Sequence, residues 1–260
     1  MPLTTVAYYE AQILAAAYLP VAAVADQHVR VVGDDIQVPS LNQIVAVAGG
    51  ISSTTLLNQM RISSPSLRER GLFQMSPVIV AASNVEPSGP HRVVDLRDTP
   101  LVLVPGEQMN AEVLGTVVAA EESWCIVWLA DGPIVPIKGN IFTIRVTGAA
   151  AALTAGAWNN RALTFDEDLP RGRYQLVGMR PESAGLVAAR AVFVGGGWRP
   201  GALGCNVIED LQSNVFRYGN MGILGEFEDI EPPTIDFLSV SADTLLYCYL
   251  DLIQIRKGPA

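Results

Sequence analysis

The residues best able to bind an ion or to catalyse a reaction are acidic, and they fall in two short groups. Asp166, Glu167 and Asp168 are consecutive, and a second group runs from 226 to 231. Loop carboxylates are ligands that Ca²⁺ prefers, but neither group has the alternating spacing of a calcium-binding loop. Solvated loop charge is therefore the default interpretation. We expect no cofactor, with a structural Ca²⁺ at 166–168 as the one candidate.

Other catalytic or metal chemistry finds little support. The chain has only two histidines, His28 and His91, whereas a cupin metal site needs three histidines and a carboxylate. No GxSxG motif occurs, and no cysteine has a plausible histidine beside it. The triple glycine at 195–197 lacks the Lys-Ser/Thr pair of a phosphate-binding loop. We expect no catalytic residues. A glycosidase-type carboxylate pair stays an alternative, because the separation that defines it is spatial.

Composition narrows the class further. Half of the residues are hydrophobic and 17% are charged, which predicts packed cores rather than disorder. The net charge is -9 and no Lys/Arg cluster is present, so we expect no direct nucleic-acid binding. The three cysteines, Cys125, Cys205 and Cys248, show neither CxxC nor Cys/His spacing, which argues against a disulfide framework and a zinc site.

Most of the chain has the pattern of short antiparallel strands. Residues 4–19 predict a short helix, capped by Thr4 or Thr5 and ended by Pro20. From residue 27 the hydrophobic period is two, and no long helical pattern returns. Gly- and Pro-rich turns divide this region into two sets of eight candidate strands, the second set including 215–218. Parallel sheets need helical crossovers, so the pattern favours antiparallel sandwiches.

The last apolar stretch, 244–255, resembles the earlier stretch 123–129. When Ser123 is placed on Thr244, Trp128 falls on Tyr249. This similarity predicts a duplicated β domain. The predicted segments are an N-terminal helix or arm at 1–26, a first domain at 27–133, a connector at 134–140 and a second domain at 141–260.

Both faces of the closing strand are apolar in sequence, so we expect neither face to be exposed to solvent. Leu245, Tyr247 and Tyr249 share one face, and the alternate residues share the other. Such a strand fits a barrel wall that also contacts another barrel. The candidate packing and interface residues are the aromatic side chains Trp128, Tyr247, Tyr249 and Trp198.

This arrangement resembles the double jelly-roll major coat proteins of tailless viruses with an internal membrane. The compact size is most similar to corticovirus and finnlakevirus coat proteins. The resemblance covers about residues 27–255 and rests on architecture and the repeat rather than on a motif. It implies an all-β fold of two tandem eight-stranded antiparallel jelly-roll sandwiches, with a short N-terminal helix.

The resemblance also implies a structural, non-enzymatic function. Such proteins form trimers of pseudo-hexagonal shape that assemble into an icosahedral shell in the host cell cytoplasm and remain in the virion. The implied partners are further copies, minor capsid proteins and a membrane near the N-terminal segment. Residues 1–26 contain no Lys or Arg, which fits a shell separated from the genome. The alternative functions are a secreted or surface β-sandwich that binds carbohydrate or protein, and a carboxylate-dependent glycoside-processing enzyme.

Overall fold

The computed structural model describes most of the chain, and its described part is all-β. It covers residues 2–11, 17–51, 59–71, 73–75, 77–79, 93–114, 122–183, 185–205, 214–242 and 245–257. Nearly all strand pairings are antiparallel, and the helical structure described is one short α-helix and one 3₁₀ turn. None of the described helices is long and apolar enough to span a membrane.

The first half contains twelve strands and helix α1, Pro65–Arg70. The strands are β1 Leu3–Ala11, β2 Leu19–Val21, β3 Val31–Val32, β4 Asp35–Gln37, β5 Gln43–Ile51, β6 Gln59–Ser63, β7 Phe73–Met75, β8 Val78–Ile79, β9 Val94–Asp95, β10 Leu101–Val102, β11 Gln108–Leu114 and β12 Glu122–Ala130. They form two sheets. Sheet I has the order β1-β12-β5-β10, with β8 and β9 also on β5; sheet II has the order β3-β4-β11-β6-β7, with β2 on β11.

The second half begins after a strand-free connection and repeats this plan. Its strands are β13 Phe142–Gly148, β14 Trp158–Arg161, β15 Leu163–Phe165, β16 Gly172–Glu182, β17 Leu186–Val192, β18 Gly201–Leu203, β19 Gly225–Glu228, β20 Thr234–Ser239 and β21 Tyr247–Lys257. Sheet III has the order β15-β13-β21-β16-β19, and sheet IV has the order β14-β20-β17-β18.

Eight strands of the first half pair in the same order as eight strands of the second, and the others, β3, β4, β8 and β9 in the first half and β15 in the second, have no counterpart. In sheets I and III, the last strand of each half lies between its first strand and the long strand β5 or β16. In sheets II and IV, β11 and β20 each lie between equivalent neighbours, β2 and β6 in one case and β14 and β17 in the other. This agreement is what a duplicated domain would produce, and it makes β12 the counterpart of β21.

The N-terminal helix predicted for residues 4–19 is wrong. Residues 3–11 form β1, which pairs with β12 along its whole length, from Leu3 opposite Ala130 to Ala11 opposite Glu122. Strand β2 follows in sheet II, so the described part of 1–26 belongs to the first sandwich rather than to a separate arm. The early residues that favour a strand are β-branched or aromatic: Thr4, Thr5, Val6, Tyr8 and Tyr9. Residues 12–16 lie outside the described range.

Two shorter elements also differ from prediction. Residues 215–218 do not form a strand, because Asn214–Phe216 is a 3₁₀ turn and the chain then turns again. Helix α1 was not predicted, although it has an ordinary N-cap: the Ser64 hydroxyl accepts a hydrogen bond from the Leu67 amide at 3.2 Å. Both elements are too short to produce a period in sequence.

Candidate functional site: the seam and two free sheet faces

The two halves meet where the outward face of sheet I packs on the outward face of sheet IV, a contact that we call the seam. Strand β12 shows how sheet I is buried on both faces. Cys125, Val127 and Leu129 point into the core of the first half. The alternate side chains join the core of the second half: Trp124, Ile126, Trp128 and Ala130. A sheet covered on both sides needs apolar residues on both faces, which is what β12 has from Trp124 to Ala130.

Trp128 makes aromatic and hydrogen-bond contacts across the seam. Its side chain is fully buried, and its indole Nε1 donates a hydrogen bond to the Gly201 carbonyl at 2.9 Å. The ring stacks on Phe216, with 4.5 Å between centroids and an interplanar angle of 27°. The sequence placed Trp128 among the interface candidates, whereas Phe216 was missed because 215–218 had been predicted as a strand.

A buried arginine holds the polar part of the seam together. Arg190 on β17 donates from Nε to Asp236 Oδ2 at 2.9 Å and from Nη1 to the Thr5 carbonyl at 3.2 Å. Its Nη1 also pairs with the Asp26 carboxylate of the first half. The Trp158 ring lies over the guanidinium, 4.1 Å from ring centroid to Cζ. Two carboxylates therefore neutralise this buried charge.

The segment before β18 adds a second set of contacts across the seam. The Thr5 amide donates to the Arg199 carbonyl at 2.8 Å, so β1 is hydrogen-bonded to the second half as well as to β12. Trp198, another of the four aromatic interface candidates, is partly buried and packs against the core of the first half. Trp128 and Trp198 thus both lie at the seam.

The segment that carries Phe216 is fixed by a buried ion pair. Arg217 donates from Nε to Asp251 Oδ2 at 2.6 Å and from Nη2 to Oδ1 at 2.8 Å. Asp251 also accepts from the Thr143 hydroxyl at 2.7 Å and from the Tyr218 amide at 3.1 Å. Burial alone would raise the pKa of Asp251, but these hydrogen bonds and the Arg217 charge outweigh it and lower the pKa. Gly178 makes room, since a Cβ there would lie 2.3 Å from Asp251 Oδ2.

The outward face of sheet III, which we call the tyrosine face, is the counterpart of the sheet I face at the seam. Tyr249 lies opposite Arg145 on β13 and Arg180 on β16, as Trp128 lies opposite Thr5 and Ala46. The Arg180 guanidinium covers the Tyr249 ring at 4.3 Å, and Arg145 lies 5.3 Å from the Tyr247 ring.

The structure therefore places Tyr247 and Tyr249 away from the seam, where both are partly exposed. The expectation that both faces of the closing strand avoid water is wrong for this face, since Leu245 is 51% exposed and arginines cover the tyrosines. Neighbouring strands supply those arginines, so the sequence of β21 alone could not reveal them.

The outward face of sheet II, which we call the acid–arginine face, is the counterpart of the sheet IV face at the seam. Glu112 on β11 lies opposite Arg61 on β6, and their side chains form an ion pair. Arg61 in turn lies opposite the exposed residue Gln74 on β7, and its guanidinium covers the Tyr18 ring at 3.9 Å.

An equivalent row occurs at the seam, where Asp236 on β20, Arg190 on β17 and Gly201 on β18 lie side by side. Both faces thus carry a carboxylate–arginine pair at the same positions of equivalent strands. One pair, Arg190 with Asp236, lies at the seam. In the other, in sheet II, the side chain of Arg61 is 23% exposed and that of Glu112 is 10% exposed.

The acidic loop at 166–168 does not gather into an ion site. Asp166 accepts a hydrogen bond from Arg145 Nε at 2.5 Å, and all three acidic residues are exposed around a cavity of ≈ 470 Å³. In the second acidic group, Glu226 and Glu228 lie on β19 and pair with Arg173 and Arg256. Among the described residues, no group of three or more His, Cys, Asp or Glu is placed to hold a metal ion.

The three cysteines are free and buried. Burial raises the pKa of both the Cys125 and the Cys248 thiol, which leaves them protonated and unreactive at neutral pH. Both side chains lie in strands and act as small apolar core residues.

No protein-family model, curated protein or solved structure matches this chain. The function must therefore be inferred from the structure itself, and the features used for this are the seam, the tyrosine face and the acid–arginine face.

Proposed function

We propose that the chain is a structural coat protein that associates with further copies of itself. Each half is then an eight-stranded jelly roll, and the subunits form trimers of pseudo-hexagonal shape that build an icosahedral shell. The strand orders support this assignment. Within each half, eight of the strands can be grouped into two sets of four neighbours, β1-β12-β5-β10 with β2-β11-β6-β7, and β13-β21-β16-β19 with β14-β20-β17-β18, inside described sheets of six, six, five and four strands. Two such facing sheets are the plan of a jelly roll.

The observation that carries the proposal is the kind of contact made at the seam. The halves do not meet through the same face, since sheet I of one half packs on sheet IV of the other. Because sheet III is the counterpart of sheet I, and sheet II of sheet IV, the chain keeps one face of each kind that the described residues of the other half do not cover. A contact between unlike faces is heterologous and repeats from subunit to subunit until it closes into a ring.

The chemistry of the two free faces fits a contact formed between folded subunits. The seam is apolar around Trp128 and its charged residues are paired, as in an obligate interface, because the two halves never separate within one chain. The tyrosine face instead presents tyrosine and arginine, residue types enriched at interfaces between independently soluble partners. The acid–arginine face likewise carries charges that are paired within its own subunit, Glu112 with Arg61, so neither face needs its partner to neutralise a charge. Three copies would place six jelly rolls in the ring, the number that the double jelly-roll resemblance implies.

The same features guide the remaining parts of the proposal. The chain would act in the virion, after assembly in the host cell cytoplasm, and would need no cofactor or catalytic residue. Minor capsid proteins stay proposed partners. Membrane proximity through the N-terminal segment stays proposed; residues 3–8 are buried, so it would involve other residues of 1–26, such as the exposed Ala11, Leu19 and Pro20. The absence of Lys and Arg from residues 1–26 supports a shell that does not touch the genome.

Replacing Tyr249 with Asp tests the proposal, and we expect it to block association while leaving the fold intact. A carboxylate there would remove the aromatic contact surface and add a negative charge beside Arg145 and Arg180, which already pair with Asp166 and Glu182. Size-exclusion chromatography with light scattering should show trimers or larger shells for the wild type and monomers for the variant. Ile230→Asp, at an 87% exposed position in a turn, is the control and should associate normally. A monomeric wild type, or a Tyr249→Asp variant that assembles, would contradict the proposal.

A further inference from the structure

A cavity of ≈ 490 Å³ opens at the edge of the seam, and residues of both halves line it. The first half contributes a short segment that includes Asp26 and His28, and the second half contributes Trp158, Arg190 and Arg199 among others. The two arginines differ in how their charges are compensated. Arg190 pairs with Asp26 and Asp236, so these two carboxylates are already occupied.

Arg199 is only 6% exposed, and Asp236 and Asp26 act on its charge without forming an ion pair with it. Its Nη1 donates to two carbonyls of its own segment, Gly196 at 2.7 Å and Trp198 at 3.2 Å. Its Nη2 contacts Nε2 of the His28 ring, and its Nε has no hydrogen-bond partner. Within the described parts of the chain, no carboxylate forms an ion pair with it. Burial is the main cause that lowers the pKa of Arg199.

The uncompensated atoms are the ones that arginine uses to bind oxyanions. Nε and Nη2 form one edge of the guanidinium, and two parallel hydrogen bonds from this edge fit a carboxylate or a phosphate. In Arg217 of the same chain, this edge does bind a carboxylate, since Nε and Nη2 donate to the two oxygens of Asp251. In Arg199 the same edge faces one imidazole nitrogen.

The contact with His28 fixes the protonation of its ring. A guanidinium has donors only, so Nε2 of His28 must be the acceptor and its proton must be on Nδ1. Burial and the Arg199 charge lower the pKa of His28, with Arg190 acting in the same direction and Asp26 and Asp236 opposing them. Once protonated, His28 can no longer accept from Arg199, and two cations then face each other across the cavity.

We propose that this cavity binds the oxyanion group of a small ligand, a carboxylate or a phosphate-type group, side-on at Nε and Nη2 of Arg199. The His28 ring, which is exposed, swings aside to admit it. Protonated His28 then donates to the anion from the opposite side. The Trp158 indole is a further donor, because its Nε1 is buried without a hydrogen-bond partner. This inference does not rest on self-association, since a single chain supplies every residue of the cavity.

Isothermal titration with sulfate and with acetate, at constant ionic strength set by chloride, tests the proposal. Sulfate represents the tetrahedral group and acetate the planar one, and sulfate keeps its charge throughout this pH range. Because binding takes up a proton at His28, either anion should bind more tightly at about pH 5.5 than at about pH 8. Binding of only one of the two anions would identify the ligand class. If neither sulfate nor acetate binds at either pH, the proposal is overturned.

Three variants separate the specific site from general charge effects. Arg199→Gln removes the edge, and Arg199→Lys keeps the charge without it; each should weaken binding about tenfold or more. His28→Gln should still bind but should lose the tightening at low pH. Arg171→Gln, at an exposed arginine outside the cavity, should bind as the wild type does. Equal binding by Arg199→Gln, Arg199→Lys and the wild type would overturn the assignment.

Discussion

Replacing Trp128 with Ala should lower the free energy of unfolding by about 3–5 kcal/mol, as expected for a large aromatic residue removed from a core. The side chain is fully buried, stacks on Phe216 and donates to the Gly201 carbonyl. Its loss would leave a cavity at the seam and a buried carbonyl without that donor. Urea unfolding followed by far-UV circular dichroism would measure the change.

The matched control is Tyr249→Ala, at the equivalent position of the second half. Tyr249 is partly exposed in the isolated chain, so its removal should change the stability of the monomer by only about 1 kcal/mol or less. Trp128→Phe should fall between the two, since it keeps an aromatic ring but loses the indole donor. Equal losses for Trp128→Ala and Tyr249→Ala would mean that the two faces do not differ in the way described.

Replacing Asp251 with Ala should have an effect of similar size, about 3–5 kcal/mol, because it leaves the charge of Arg217 buried and unpaired. The Asp251 side chain has 0% exposure and that of Arg217 has 5%. The Thr143 hydroxyl and the Tyr218 amide also lose their acceptor. The segment that presents Phe216 to Trp128 should loosen in consequence. Thermal unfolding and amide hydrogen exchange at 214–222 would measure both effects.

The lowered pKa of Asp251 gives this pair a defined pH dependence. Its contribution to stability is present above the ordinary aspartate pKa of about 4, and is lost as the pH falls through the lower pKa of the folded state. Acid unfolding of the wild type should therefore include a step that Asp251→Ala lacks. The double variant Arg217→Met with Asp251→Leu should recover part of the lost stability, because no buried charge is left unpaired. A double variant as unstable as Asp251→Ala would contradict this explanation.

Much of the fold could be predicted because alternation of apolar and polar residues is a local signal. Strands β16 and β21 carry it in part, whereas β5 and β12 are nearly continuous apolar runs. The alignment of Trp128 with Tyr249 places two equivalent central strands in register. The helix at 4–19 was predicted wrongly because its alanines and leucines favour a helix, whereas its β-branched and aromatic residues, such as Val6 and Tyr8, favour a strand. Pairing with β12, which is distant in sequence, decides the outcome.

The parts that could not be predicted depend on contacts between distant residues. Arg190, Asp26 and Asp236 are ordinary charged residues in sequence, and only the fold brings them together at the seam. The arginines beside Tyr247 and Tyr249 likewise come from neighbouring strands. Phe216 lies in a 3₁₀ turn, which has no periodic pattern. The acidic loop at 166–168 was a candidate Ca²⁺ site because of its composition, yet one of its three acidic residues pairs with Arg145.

The most direct test of assembly through unlike faces is a disulfide between two copies. At the seam, Trp128 contacts Gly201; the equivalent residues on the free faces are Tyr249 and Gln74. Tyr249→Cys and Gln74→Cys variants, mixed and oxidised, should form a covalent dimer between unlike chains, and the double variant should form linked trimers or longer oligomers. The three native cysteines are buried and should not interfere. Crosslinking of Tyr249→Cys only to itself, or no crosslink in the mixture, would contradict the head-to-tail contact.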